Sequence, residues 1–84
     1  MELRSRFEEA VAKSKLLTNR PSNEILLQLY SLFKQATEGD YQQDPPSNPF
    51  DFVAKAKHDA WSQLKGKAAE DCMQDYISLI DSLQ

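Results

Sequence analysis

Apolar residues recur three and four apart along this chain and nowhere alternate with polar ones over a strand's length, so the pattern predicts helices and no strands. The first helix is predicted from about Leu3 to Lys15, with Leu3, Phe7, Ala10, Val11 and Ser14 on its inward stripe. Leu16 to Arg20 reads as a connector. Pro21 suits a first helical turn, where its missing N–H would have no partner in any case. The second helix runs from about Ser22 to Thr37 and carries two apolar stripes. Ile25, Leu29, Leu32 and Ala36 make one; Leu26, Tyr30, Phe33 and Thr37 make the other. A helix apolar on two faces needs two covers. A bundle partner covers one, and a groove that a ligand fills is a candidate for the second.

Gly39-Asp40 ends that helix. The segment from Tyr41 to Pro49 holds Pro45, Pro46 and Pro49 and is excluded from regular helix. Asp51 is the expected N-cap of a third helix reaching about Leu64, and Gly66 breaks the chain after it. The last helix is predicted from about Lys67 to Leu83. Glu70 and Asp71 in its first turn suit the helix dipole, and Ala69, Met73, Tyr76, Ile80 and Leu83 form its stripe. Four helices in 84 residues predict an all-α, antiparallel-rich bundle forming one domain over residues 1–84.

Charge sharpens the picture. The net charge is −3, which argues against a general nucleic-acid surface. The distribution is uneven, however. All ten Lys and Arg lie at or before Lys67, and the stretch after it carries Glu70, Asp71, Asp75 and Asp81 with no basic residue. A local basic site can therefore exist on an acidic protein. Cys72 is the only cysteine, so no internal disulfide forms, which suits a reducing compartment. The start MELRSRFEEA has no signal-peptide apolar region, and no apolar run approaches membrane-spanning length. The expectation is a cytoplasmic protein without stable membrane insertion.

Catalytic chemistry has little to work with. His58 and Cys72 are single residues of their kind, too few for a metal site, and no Gly-rich phosphate loop exists with only Gly39 and Gly66 available. A Cys72–His58 nucleophile pair is the remaining catalytic arrangement, but a cysteine in an amphipathic helix is ordinarily a packing residue. Binding chemistry is better supplied. Tyr30, Phe33 and Lys34 stand at i, i+3 and i+4, on one helical face. Two rings beside a fixed positive charge can stack a flat base and hold a phosphate next to it. The alternative is an ordinary amphipathic helix with a solvated lysine. Downstream, Lys57 lies four residues before Trp61, in the same helix. Its alternative reading is a lysine stem lying over that ring.

Taken together, LYSLFKQATEGD and FVAKAKHDAWSQLKG resemble the acyl-CoA-binding protein family, and the resemblance extends from about Phe7 to Leu83. It implies an up-down-down-up four-helix bundle that binds long-chain fatty acyl-CoA, acts as a monomeric carrier or buffer, needs no cofactor and performs no reaction. It implies that Tyr30 reaches the ribose phosphate and that Phe33 packs on the adenine. Lys34 and Lys57 would clamp the 3′-phosphate, and Tyr76 would close the head-group pocket. Lys15 would contact the phosphates, and Ser31 and Leu32 fall inside the binding segment, Leu32 on its core side. Val11, Leu26 and Leu27 are candidates for the acyl groove and equally for the core. Three departures stand out: Val53 where a lysine is common, His58 where tryptophan is common, and a loop over residues 41–50 one residue longer than usual. His58 is expected to cost local packing rather than function.

Two other readings remain at this point. A helical interaction module would use the second stripe of the second helix as a groove for a partner helix. It does not account for lysines converging on aromatics. A thioesterase or acyltransferase accessory would need a nucleophile that the chain does not convincingly offer.

Overall fold

The structure, a computed structural model, describes residues 2–41 and 50–83. All four predicted helices form: α1 (Leu3–Ser14), α2 (Asn23–Glu38), α3 (Phe52–Ser62) and α4 (Ala69–Ser82). The expectations for the proline segment and its extra length lie largely outside the described residues.

The caps are where the side chains allow them. Ser22 and Asp51 accept the backbone N–H of Ile25 (3.3 Å) and Ala54 (3.0 Å), each satisfying an orphan donor of a first turn. Gly39 ends α2 at φ 80°, a conformation that a side chain disfavours, while its N–H still reaches the Gln35 carbonyl. Several ends fall short of the predicted ones. α1 stops at Ser14 because the Lys15 N–H turns back three residues to Ala12, and α3 stops at Ser62 because the Leu64 N–H, one past the Gln63 cap, turns back three to Trp61, tightening the last turn. α4 begins at Ala69 rather than Lys67, since Ala68 is extended and the Lys67 N–H bonds the Leu64 carbonyl.

α4 packs against α1 and α2, and α2 also packs against α3. Among the described residues α3 has no other helical neighbour. The core takes Phe7 and Ala10 from α1, Leu29, Leu32 and Ala36 from α2, and Cys72, Met73, Tyr76, Ile77 and Ile80 from α4. Phe7 joins them, stacked on Phe33 (6.0 Å between centroids) and edge-on to Tyr76 (5.2 Å). The first stripe of α2 is therefore core. The second differs: Leu26, Tyr30 and Phe33 are only half-buried, and Thr37 is exposed. No helix among the described residues is long and apolar enough to cross a membrane.

One buried residue was not expected. Gln35 lies on the core side of α2 with only 2% of its surface exposed. Its amide nitrogen donates to Asp40 Oδ1 (2.8 Å) and the Lys67 carbonyl (3.1 Å), and its oxygen accepts from the Trp61 indole N–H (3.1 Å). Trp61 also donates to the Gly39 carbonyl (2.9 Å), and Asp40 Oδ1 accepts from the Gly66 N–H (2.8 Å). Full pairing is what makes an amide at this depth tolerable.

Candidate ligand site

Tyr30 is the centre of the site because both lysines converge on it from different helices. Lys57 Nζ on α3 is 5.0 Å from the Tyr30 ring centroid, and Lys34 Nζ on α2 is 5.9 Å from it. Lys34 also stands 5.8 Å from the Trp61 ring centroid. The alternative in which the Lys57 stem covers Trp61 is not what forms: Lys34 lies over that ring, while Lys57 turns to Tyr30. Lys34 bonds Glu38 one turn on (2.7 Å), and that carboxylate lifts its ammonium above the ordinary lysine value. Lys57 has no carboxylate partner among the described residues.

Two apolar hollows flank Tyr30, and Leu26 and Tyr30 line both. The first, about 300 Å³, lies between α1, α2 and α4, with Val11, Ser14, Pro21, Leu29, Phe33 and Tyr76 in its wall. The second, about 370 Å³, opens between α2 and α3, against Leu27, Phe52, Val53 and Ala56, with Lys57, Arg20 and Asn23 also in its wall. Leu26 and Tyr30 of the second α2 stripe are therefore a common wall of the two hollows, with Arg20 and Lys57 in the wall of the second. Phe52 and Val53 remain mostly exposed there.

The structure sorts the candidate residues. Lys34 and Lys57 meet at Tyr30; Val11, Phe33 and Tyr76 line the first hollow and Leu27 and Lys57 the second, with Leu26 and Tyr30 shared by both. Phe33 has one face on Phe7, and Tyr76 is 4% exposed. Ser31 and Leu32 are 5% and 8% exposed and line a different hollow, about 470 Å³, with Gln28, Leu64, Asp75, Ser78 and Leu79. At about 100° per residue they are turned away from Tyr30. The Ser31 hydroxyl donates to the Gln28 carbonyl (3.0 Å). Lys15 is exposed at the end of α1, next to Ser14 of the first hollow. Arg20, read only as part of a connector, joins Lys57 around the second hollow; Pro21, expected in the first turn of the next helix, instead lies just before its Ser22 cap.

The departures have visible neighbours. Val53 puts an apolar group in the wall of the second hollow. His58 is half-buried and edge-on to Tyr41 (4.4 Å), which also meets Trp61 edge-on (4.7 Å). His58 Nδ1 is buried and has no hydrogen-bond partner among the described residues. Among those residues no group of three or more His, Cys, Asp and Glu stands close enough to hold a metal ion.

A family model described as Acyl CoA binding protein matches residues 4–80. Acyl-CoA-binding protein homolog 1 of Caenorhabditis elegans is 46% identical over 77 residues, covering 92% of this chain and 88% of that one. Enoyl-CoA delta isomerase 2 of Rattus norvegicus is 48% identical over 77 residues, covering 92% of this chain but only 19% of the isomerase's length. The crystal structure of Oryza sativa Acyl-CoA-Binding Protein 2 superposes with a TM-score of 0.90 at 40% identity, covering 98% of this chain and 90% of that one.

Proposed function

The chain belongs to the acyl-CoA-binding protein family, and from that premise we propose that it binds long-chain fatty acyl-CoA non-covalently and serves as a carrier and buffer, not an enzyme. The observation that carries this reading is the convergence of Lys34 and Lys57 on Tyr30 at the seam of two apolar hollows. A partner helix would use the hollows but would have no need of the two cations.

The roles follow from chemistry. The acyl chain lies against Leu26, Leu27, Val11 and the walls around them. Lys34 and Lys57 hold the 3′-phosphate, each charged hydrogen bond contributing about 1.5–3 kcal/mol. Phe33, whose other face is already on Phe7, offers the adenine a ring worth about 1–3 kcal/mol of stacking. The Tyr30 hydroxyl meets the ribose phosphate, and Tyr76 closes the head-group side. Lys15 and Arg20 are the further cations for the phosphates. Each methylene covered adds about 0.8 kcal/mol before association costs. The chain thus supplies a large term that grows with length, and the head group supplies discrimination. The whole acts as one monomeric domain in the cytosol.

Thermal melting tests the reading. A ligand held only by the folded state stabilises by mass action. Saturating acyl-CoA should raise the Tm, more with each added carbon pair until the chain outgrows the groove. A Tm indifferent to acyl-CoA of every length would refute it.

A further inference from the structure

We infer that Gln35, which touches no part of the proposed ligand, is a positioning residue for the phosphate clamp. This inference rests on the acyl-CoA reading of the Tyr30 site. Lys57 rides on α3, and among the described residues α3 packs on α2 alone. Its placement relative to Lys34 therefore depends on that one junction. Gln35 sits at the heart of the junction, one residue after Lys34, and pins it from three directions.

Its amide is used almost to capacity. Both N–H groups donate, to Asp40 Oδ1 and the Lys67 carbonyl, and the oxygen accepts from Trp61. Trp61 is the link to the clamp: its ring lies beneath Lys34 Nζ, its N–H reaches Gln35 and Gly39, and it belongs to the helix of Lys57. Asp40 and Gly66 complete the knot by tying the end of α2 to the turn after α3. An apolar side chain here would leave the Lys67 carbonyl without this donor, and Trp61 would lose one of its two directional contacts with α2 and its end, keeping only the Gly39 carbonyl. Packing alone is less selective, because apolar contacts are not directional. A phosphate held by two lysines from two helices requires both at a fixed separation, so loosening the junction weakens the two-lysine grip more than the acyl contacts.

The test compares palmitoyl-CoA with its 3′-dephospho analogue by calorimetry. The unaltered protein should prefer the 3′-phosphorylated ligand by at least about tenfold, the effect of one charged contact. Gln35→Met, which keeps volume and removes all three hydrogen bonds, should cut that preference several-fold in protein shown to be folded. Trp61→Phe, which keeps a ring beneath Lys34 and removes the N–H, should do the same. Asp40→Ala, at the half-exposed edge, should give a smaller cut and secures the test if a core variant loses its fold. A lower Tm with the preference intact would make Gln35 merely structural and overturn the inference. An unaltered protein that does not discriminate would overturn the clamp itself, and this inference with it.

Discussion

Removing Lys57 separates a ligand contact from a structural one. Lys57 is exposed, and within the described residues its one interaction is with the Tyr30 ring, 5.0 Å from the centroid. An exposed cation–π contact is worth about 0.5–1 kcal/mol. Alanine recovers part of that as the better helix former. Lys57→Ala should thus change folding stability by less than about 1 kcal/mol. Binding should suffer far more, by about 1.5–3 kcal/mol, or roughly ten- to a hundredfold in Kd. Lys34→Ala should cost slightly less. Lys34 must release Glu38 to take a phosphate, and an exposed pair of that spacing is worth about 0.3–0.5 kcal/mol. The assay is calorimetry with palmitoyl-CoA at fixed ionic strength, beside urea unfolding of the same preparations. Both losses should shrink in high salt, as screening contracts from about 10 Å at 0.1 M to 3 Å at 1 M. An affinity within twofold of the unaltered protein would refute the argument. So would an equal loss for palmitate, which has no phosphate.

Three other outcomes follow from local chemistry. Glu38→Gln frees Lys34 from its intrahelical partner and removes a negative charge beside the proposed phosphate, so acyl-CoA should bind more tightly, by a few tenths of a kcal/mol or more; weaker binding would mean Glu38 helps position the ligand. The Gly66 N–H, then the Gln35 amide, hold the Asp40 carboxyl below the usual carboxylate range. A depressed pKa contributes stability that is fully present above the ordinary value of about 3.9 and is lost as pH falls through the folded value. Acid unfolding should therefore be blunted in Asp40→Ala, and identical acid profiles would contradict the knot. Cys72 is 0% exposed and burial pushes its thiol up, so a thiol reagent should label it only after unfolding; rapid labelling of native protein would contradict its place in the core.

Local rules sufficed for the helices because their signals are local. Ser22 and Asp51 read as caps or helix starts, Gly39 as a stop, and the first stripe of α2 as core. The second stripe announced itself as a surplus apolar face, and the structure places it against hollows rather than in the core. Helix ends were less legible, since the tight turns at Lys15 and Leu64 depend on how the chain continues into the connectors. Gln35 was invisible for a different reason. A glutamine in a helix looks solvated, and its partners include Trp61 and the Lys67 carbonyl, far along the chain. Lys57 likewise has Trp61 at helical spacing, yet it turns to Tyr30, a choice that only the α2–α3 packing decides. Ser31 and Leu32 lie in the binding segment by sequence, and helical rotation turns them away from Tyr30, Leu32 to the core side as its stripe implies.

The central claim is that groove and head site act together on one ligand. Calorimetry of the unaltered protein against palmitoyl-CoA, free CoA and palmitate tests it most directly. The account predicts saturable one-to-one binding of palmitoyl-CoA, far tighter than that of either part, because only the thioester uses the hollows around Leu26 and the lysines around Tyr30 at once. Palmitate bound as tightly as palmitoyl-CoA would contradict it.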